Sequence, residues 1–237
     1  MTQIPLALIG MGKMGRTLAT LAPDAGFRVV AELDPSRPDY AGITRESLRD
    51  AQVAIEFTTP HAAAENARAC ARAGCPVVVG TTGWYEQLDA VADDVERDGG
   101  ALLTAPNFSV GVAIFDQIVA AAARIYARLP RFADAHLVET HHSAKIDAPS
   151  GTAGALARTA SAALGRDVPI TSIRVGHVPG THELIFDSSF EQVRLVHEAR
   201  DRRVFAEGAL FAARWLVGRR GRFTLQDALS DIVAASQ

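Results

Sequence analysis

Lysine is rare in this chain, and one of its two lysines lies among the groups best suited to proton transfer. Arginine supplies every basic residue except Lys13 and Lys145. Lys145 closely follows His141 and His142. A lysine ammonium can give up a proton, whereas arginine stays charged in a protein, and histidine titrates near neutral pH. The segment around Lys145 is therefore the first candidate for acid–base chemistry.

The adjacent histidines are open to three interpretations. Because successive residues of a strand point to opposite sides, a strand leading through Glu139 gives His141 and His142 different environments. A zinc site would need a third ligand and a spacing that this pair lacks, so we expect no metal here. The two could instead be hydrogen-bonded structural histidines, with Lys145 on the surface. Proton transfer and anion binding account better for the residues that follow.

Those residues predict an anion site at the start of a helix. The segment Asp147-Ala148-Pro149 is typical of a turn, and Ser150 is a favourable N-cap for the helix that follows. The N–H groups of Gly151 and Thr152 would then form a positive concavity. Gly151 has no side chain to block a ligand. A substrate carboxylate or phosphate fits this position, with Lys145 beside it.

The N-terminal part of the chain carries the pattern of a dinucleotide-binding unit. An apolar run, Pro5–Ile9, is typical of a buried strand and leads into the glycine sequence 10–15, a helical pattern and a second apolar run, Phe27–Leu33. Asp34 follows about 20 residues after the last glycine. Glycines let the backbone approach a pyrophosphate at a helix N-terminus, and the acid accepts from ribose hydroxyls. This order predicts dinucleotide binding.

Three further predicted strands are followed by small and polar residues. They cover Val53–Phe57, Pro76–Val79 and Ala101–Thr104. Turn chemistry alone would explain such residues, but ligands of a doubly wound sheet bind at the carboxyl ends of its strands. Three such loops in succession favour a ligand. The candidate cofactor contacts are Gly10, Met11, Gly12, Lys13, Met14, Gly15, Asp34, Phe57, Gly80, Thr81, Thr82, Ala105, Pro106, Asn107 and Phe108.

The pattern of secondary structure changes after Asn107. A long helix is predicted over Val110–Leu129, followed by a strand before the histidine pair, a further helix and three more strands. The last two strands are predicted to form a hairpin across residues 187–189. The fold class is therefore α/β, with an N-terminal Rossmann-type parallel sheet and a second α+β domain that carries a mostly antiparallel sheet.

The composition narrows the class of protein. The net charge of −3 and the pI of about 6.2 provide no basic field for nucleic acid. No apolar run reaches the ~18 residues of a membrane helix, and the N-terminus lacks the basic region of a signal peptide. Cys70 and Cys75 do not suggest a disulfide framework. We expect a cytoplasmic NAD(P)-dependent reductase of an anionic small molecule, with no nucleic-acid or membrane partner.

Several segments resemble one enzyme family along nearly the whole chain. The most specific is Glu139-Thr140-His141-His142, which continues through Lys145 to Ala153. The others are Gly80-Thr81-Thr82-Gly83, Ala105–Gly111, Arg174-Val175-Gly176, Gly180-Thr181-His182 and Phe205–Leu210. The chain resembles 4-hydroxy-tetrahydrodipicolinate reductase, also called dihydrodipicolinate reductase, of the diaminopimelate/lysine pathway.

The resemblance implies the reaction and the roles of the site residues. A nicotinamide cofactor, NADH or NADPH, would deliver hydride to C4 of a cyclic unsaturated dicarboxylate after loss of its 4-hydroxyl. His141 would be the general acid/base, and Lys145 a proton donor that also binds a substrate carboxylate. The substrate contacts would be His142, Lys145, Ser150, Gly151 and Thr152.

The resemblance also implies the domain organisation. Residues 1–106 would form the dinucleotide-binding domain, and residues 107–210 a substrate-binding domain whose sheet builds a homotetramer. Residues 211–237 would pack back onto the first domain. Hinge closure would bring the nicotinamide to the substrate and exclude water, which strengthens charge pairing in a site.

Three features depart from many members of this family. The glycine sequence has G-x-G-x-x-G spacing, where many members have one more residue. Pro35 follows Asp34, where some members have an arginine suited to a 2′-phosphate. The segment between Leu164 and Ile170 is also shorter than in longer members.

The charges near the glycine sequence bear on the choice of cofactor. Asp34 would repel a 2′-phosphate, whereas Lys13, Arg16 and Arg37 would attract one, so we predict use of both NADH and NADPH. Two other functions stay open. One is a reductase of a different imine or keto acid, and the other is a nicotinamide-sensing protein without catalysis, which the His141/Lys145 pair disfavours.

Overall fold

Two units make up the part of the chain that the structure describes, residues 2–38, 40–129 and 134–234 of a computed structural model. The first unit combines the residues up to Ser109 with those from Arg203 onward, and the second extends from Val110 to Arg202. Each unit has a sheet of its own.

Short apolar runs form a buried parallel sheet in the first unit. Its strands are β1 (Ile4–Ile9), β2 (Phe27–Leu33), β3 (Val53–Glu56), β4 (Val77–Val79), β5 (Ala101–Thr104) and β10 (Gly221–Thr224). Its helices are α1 (Lys13–Leu21), α2 (Arg45–Leu48), α3 (Pro60–Arg72), α4 (Leu88–Arg97), α7 (Arg203–Leu216) and α8 (Leu225–Ala234), with a 3₁₀ turn at Tyr85–Gln87. Parallel strands covered on both faces are continuously apolar, and β4 is fully buried. The predicted Rossmann-type sheet is confirmed.

The order of the strands fixes where a ligand can bind. The sheet runs β10-β5-β4-β3-β1-β2, and every pair is parallel. The chain leaves β1 for β2 on one side, and β3 lies on the other side. Such a reversal leaves a crevice at the carboxyl ends of the strands. The turn after Ile9 and the loop after Glu56 both start at this edge of the sheet.

Helix α7 belongs to the first unit, because it packs against α1, β3 and β4. Gly208 approaches the loop after β5 so closely that a Cβ on it would lie 1.6 Å from the carbonyl oxygen of Phe108. The domain predicted from the sequence extends from residue 107 to residue 210 and so ends inside this helix. The chain divides before α7 instead, because a continuous helix with one buried face stays with the surface that it covers.

The second unit is an α+β arrangement. Its strands are β6 (Asp134–His141), β7 (Ile170–Arg174), β8 (Thr181–Asp187) and β9 (Gln192–Glu198), and its helices are α5 (Val110–Tyr126) and α6 (Gly151–Leu164). The sheet runs β7-β6-β8-β9, with β6 and β7 parallel and the other pairs antiparallel. Leu137, Leu184 and Phe186 face a core that they share with α5 and α6. The predicted mostly antiparallel sheet and its β8–β9 hairpin are confirmed.

Candidate active site

The turn between β1 and α1 is tight on its inner side and open on its outer side. Gly10 has a φ of +93°, and a Cβ there would lie 2.1 Å from the carbonyl oxygen of Phe57. A Cβ on Gly15 would lie 2.0 Å from the carbonyl oxygen of Gly10. At Gly12, the N-cap of α1, a Cβ would meet no described heavy atom within 4 Å. Open space at a helix N-terminus suits a pyrophosphate.

The side chains around this turn place both signs of charge near it. Lys13 begins α1, and Arg16 donates to the carbonyl of buried Met11 at 3.1 Å. Directly after β2, the Asp34 carboxylate accepts from the backbone N–H and the hydroxyl of Ser36 at 3.1 and 2.7 Å. These hydrogen bonds lower the pKa of Asp34. An ionised carboxylate at this strand end is suited to accept from ribose hydroxyls.

The predicted contacts after β3, β4 and β5 lie at neighbouring strand ends. A Cβ on Gly80 would lie 2.0 Å from the Phe57 ring, which meets the Phe108 ring edge-on at 6.3 Å between centroids. The buried Thr81 accepts from the N–H of Thr58 at 2.8 Å. The remaining predicted contacts in these loops are Thr82, Ala105, Pro106 and Asn107.

Glu56 supports these loops, although it is not among the residues predicted from the sequence to act in the site. The side chain is completely buried at the end of β3. One carboxylate oxygen accepts from the Thr58 N–H at 3.0 Å, from the Thr58 hydroxyl and from the Asn66 amide at 3.3 Å. Glu56 therefore ties the loop after β3 to helix α3. An acid at the end of an otherwise apolar strand was the available signal.

In the second unit, strand β6 presents a carboxylate and an imidazole on the same face. Glu139 is completely buried and His141 is 7% exposed. One Glu139 oxygen contacts Nδ1 of His141. The other accepts from Nη2 of Arg174 on β7 at 2.7 Å and from the N–H of Ser150 at 3.3 Å. Residues two apart on a strand share a face, so this pair could have been predicted, but it was missed.

The surroundings of this pair shift both pKa values downward. Burial opposes ionisation of Glu139, but hydrogen bonds from Arg174, Ser172 and His141 lower its pKa to about 2. For His141, burial lowers the pKa, Glu139 raises it, and the charges of Lys145 and Arg174 lower it further, with a net decrease. Glu139 is therefore ionised near neutral pH, and His141 is mostly neutral there and able to exchange a proton.

Ser150 and Lys145 lie on either side of the turn that starts α6. The Ser150 hydroxyl accepts from the N–H of Ala153 at 3.1 Å, which confirms Ser150 as the predicted N-cap. The side chain of Ser150 is buried, whereas Gly151 is exposed. Lys145 Nζ lies 2.7 Å from a carboxylate oxygen of Asp147. The Asp147 carboxylate also accepts from the N–H of Gly151. This turn therefore already holds one carboxylate.

The two adjacent histidines differ as predicted. His141 is buried, whereas His142 is half-buried and donates its N–H to the carbonyl of Val178 at 2.8 Å. A third histidine, His182 on β8, lies edge-on to His141 at 5.3 Å between ring centroids. Its Nε2 is 3.5 Å from the Ser150 hydroxyl. Burial lowers the pKa of His182 to about 4.

The described residues contain no cluster of three or more histidine, cysteine, aspartate or glutamate side chains that could hold a metal ion. The second unit has three groups suited to acid–base chemistry and anion binding: the His141 imidazole with its Glu139 carboxylate, the Lys145 ammonium group and the N-terminus of α6. The first unit offers a glycine turn and an ionised acid at the carboxyl edge of a parallel sheet.

Dihydrodipicolinate reductase family models match both parts of the chain. The model of the N-terminus covers residues 4–108, and that of the C-terminus covers residues 111–229.

The chain belongs to the dihydrodipicolinate reductase family. A 4-hydroxy-tetrahydrodipicolinate reductase from Christiangramia forsetii is 33% identical over 96% of this chain and 98% of its own length. The enzyme of the same name from Acidiphilium cryptum is 38% identical over 92% and 94%. The resemblance stated from the sequence is confirmed, and the chain is an oxidoreductase.

A solved member of the dihydrodipicolinate reductase family has the same fold. The dipicolinate-bound dihydrodipicolinate reductase from Paenisporosarcina sp. TG-14 superimposes with a TM-score of 0.80 at 24% identity, over 95% of this chain and 99% of that one. Along the described ranges, no helix combines the length and apolar character needed to cross a membrane.

Proposed function

We propose that this protein reduces 4-hydroxy-tetrahydrodipicolinate to tetrahydrodipicolinate in diaminopimelate and lysine biosynthesis. Family membership supports the choice of substrate. The observation that carries the chemistry is the Glu139–His141 pair, with Lys145 and the start of α6 nearby. A protein of this pathway would act in the cytoplasm, on a small cyclic dicarboxylate.

The reaction replaces a C–O bond with a C–H bond. In the net change, the 4-hydroxyl takes up one proton and leaves as water, and C4 gains a hydride. The nicotinamide, when bound, supplies that hydride. The protein has to hold the substrate carboxylates and move protons, and general acid–base groups with pKa values near the working pH do this best.

We assign the proton transfer to His141 and Lys145. The ammonium group of Lys145 can donate a proton and also pair with a substrate carboxylate. His141 exchanges a proton through Nε2, because Nδ1 is held by Glu139. The N–H groups of Gly151 and Thr152, at the start of α6, bind a carboxylate with help from the helix dipole. Ser150 shapes this turn as its N-cap, and His142 is the remaining proposed carboxylate contact.

We propose that NADH and NADPH both serve as the hydride source, held at the glycine turn. The fit of the turn supports this, since it is crowded inside and open at Gly12. Asp34 favours an unmodified ribose, whereas Lys13 and Arg37 attract a 2′-phosphate. Arg37 Nε lies 4.0 Å from Asp34, so it can offset part of the acid's charge. A preference beyond about 100-fold, roughly 2.8 kcal/mol, would contradict this proposal.

We also propose that the open face of the second sheet joins copies of this chain in a homotetramer. The face opposite the core carries Val138, Ile173, Ile185 and Val196, as the strand registers show. Ile173 is 42% exposed and Val196 is 55% exposed. Apolar residues clustered on an open sheet face are typical of an interface. Light scattering of the purified protein should give the mass of four chains, and a monomer would contradict the proposal.

Turnover tests the proposed function directly. The substrate would be generated enzymatically in the assay, and the loss of reduced nicotinamide would be followed by its absorbance, first with NADH and then with NADPH. We expect oxidation that depends on the substrate with both cofactors. If both cofactors bind and neither is oxidised, the function is wrong, and other cyclic imines become the substrates to test.

A further inference from the structure

Glu139 contacts two separate parts of the proposed site with its two oxygens. Oε2 contacts Nδ1 of His141, and Oε1 accepts from Nη2 of Arg174 at 2.7 Å and from the N–H of Ser150 at 3.3 Å. The side chain is completely buried, so water does not substitute for these contacts. The first oxygen faces the proposed proton-transfer group, and the second faces the turn proposed to bind substrate.

We infer that Glu139 is a positioning residue for the reductase reaction, which holds His141 in the Nδ1–H tautomer and fixes it relative to the N-terminus of α6. This inference rests on the proposed function for its kinetic consequences. An ionised carboxylate only accepts hydrogen bonds, so the proton of a neutral His141 must be on Nδ1. The Nε2 lone pair is then the group that exchanges a proton with the substrate or water.

The surroundings of Nε2 fit this assignment. A Cβ on residue 180 would lie 3.0 Å from Nε2 of His141, so glycine at this position keeps a side chain away from the reacting nitrogen. Gly180 precedes β8, which pairs with the end of β6 that carries His141. The strand pair that presents the histidine therefore also places a glycine, with no side chain, beside its outer nitrogen.

Arg174 fixes the orientation of the Glu139 carboxylate. Its Nη2 donates to Glu139 and, at 2.6 Å, to the carbonyl of Asp147 in the turn before α6. Arg174 and the Ser150 N–H thus engage Oε1, and His141 contacts Oε2, while the Ser172 side chain also hydrogen-bonds to the carboxylate. Charge-assisted contacts of this kind are short and directional. A carboxylate at this position can therefore orient an imidazole, which an uncharged side chain would do less well.

Glu139 and the other charged groups near His141 have opposite effects on the pKa of His141, so the effect of Glu139 can be measured. Lys145 and Arg174 are cations that lower the pKa of His141, and the His182 ring contacts it from β8. Glu139 is the group that raises it. Loss of the Glu139 charge should therefore move the His141 titration to lower pH. Loss of a purely structural contact would reduce stability or rate without that displacement.

The tautomer is tested first in the wild-type protein without substrate. Nitrogen NMR of ¹⁵N-histidine-labelled protein, with the His141 signals assigned by their loss in His141→Gln, should show the proton on Nδ1 at neutral pH. A proton on Nε2 would overturn the inference. This measurement needs neither turnover nor a Glu139 variant, so its outcome is independent of the proposed function and of any folding defect.

The kinetic test compares Glu139→Gln, Glu139→Asp and a control, Glu191→Gln, whose exposed residue lies in the β8–β9 loop. Glu139→Gln should lower kcat by about 10²-fold or more, within the range of general acid–base catalysis. The inflection that belongs to His141 in kcat/KM against pH should move to lower pH. Glu139→Asp keeps the charge and should restore part of the rate and the inflection. The control should match the wild type.

Two results would overturn the inference: wild-type kcat with an unchanged pH profile in Glu139→Gln, or a lower rate in Glu139→Gln with an unchanged inflection. If the wild type does not reduce the substrate, the proposed function fails, while the NMR result still decides the tautomer. If Glu139→Gln does not fold, Glu139→Asp and the NMR measurement decide the question.

Discussion

The ammonium group of Lys145 lies 2.7 Å from the carboxylate of Asp147, two residues further along the same turn. A hydrogen bond from Lys145 is the main cause that lowers the pKa of Asp147, and the N–H of Gly151 donates to the same carboxylate. Lys145 and Gly151 are the donors proposed to hold a substrate carboxylate. If these donors bind the substrate as proposed, the substrate competes with an internal carboxylate for them.

Replacing this internal carboxylate should favour the substrate. Asp147→Asn keeps the size of the side chain and removes the charge that competes for Lys145. Exposed ion pairs are weak, so we expect KM for the substrate to fall by only roughly two- to fivefold, and the difference to shrink as salt is added. Steady-state kinetics at low and high ionic strength measure this. Asp167→Asn, at an exposed position after α6, is the matched control. A raised KM in Asp147→Asn would show that Asp147 organises the turn instead.

Replacing His141 and Lys145 by alanine, one at a time, should change kcat and KM in different ways. His141→Ala removes a proton-transfer group and should mainly lower kcat, by the ~10²–10⁴-fold typical of general acid–base catalysis. Lys145→Ala removes charge pairing in both the ground state and the transition state, so KM should rise and kcat should fall. Initial rates over a range of substrate concentrations distinguish the two patterns. Near wild-type rates in both variants would mean that the site is elsewhere.

The glycine turn offers a test that separates cofactor binding from folding. Gly12→Ala adds a Cβ to open space, so the folded protein should lose no more than the roughly 1 kcal/mol expected when alanine replaces glycine at an N-cap. The same Cβ would intrude on a pyrophosphate at the N-terminus of α1, at a cost of about 1–3 kcal/mol, or roughly 5- to 150-fold in Kd for NADH. Fluorescence titration and thermal unfolding measure the two effects.

Two further glycine variants serve as comparisons for Gly12→Ala. Gly10→Ala should destabilise the protein, because its Cβ would lie 2.1 Å from a backbone oxygen at a φ of +93°. Gly154→Ala, inside α6, meets only the flexible end of Arg158 at 3.4 Å, so it should leave NADH binding unchanged and raise stability by up to about 1 kcal/mol, because alanine favours a helix interior. If Gly12→Ala binds NADH as tightly as the wild type does, the cofactor does not bind at this turn.

Local patterns predicted most of the fold because they extend over short stretches of sequence. Apolar runs such as those at β1 and β2 and the glycine turn between them were sufficient for the Rossmann-type sheet. Strand β10 was missed because Gly221–Thr224 is short, half-exposed at the edge of the sheet, and contains a charged residue, Arg222. Helix α2 was missed because it is a single turn, Arg45–Leu48.

The part of the site that was predicted from the sequence also lies within one short stretch of the chain. His141, Lys145 and the Ser150 cap are close in sequence, so their spacing carried the information. Glu139 was not predicted as a residue of the site. Its role depends on Arg174, which is 35 residues away in sequence and contacts it only when β6 and β7 pair. The boundary after residue 210 was misplaced for the same reason, since Phe108 and Gly208 meet in the fold but lie on either side of the whole second unit in sequence.

His182 should make the stability of the protein depend on pH. Burial lowers its pKa to about 4, whereas in the unfolded chain it titrates near its ordinary value of 6.5. In the window between these values the unfolded state binds a proton that the folded state does not, so stability falls as the pH is lowered. From about pH 7.5 to about pH 5, this amounts to roughly 2 kcal/mol.

Urea unfolding at the two pH values would measure this contribution. His182→Gln cannot take up the proton, so its loss of unfolding free energy on acidification should be smaller than that of the wild type by roughly 2 kcal/mol. His136→Gln is the control, because His136 lies on the opposite face of the same sheet, hydrogen-bonded to Thr171, and should behave like the wild type. An equal loss in wild type and His182→Gln would show that His182 does not titrate between folded and unfolded states in this window.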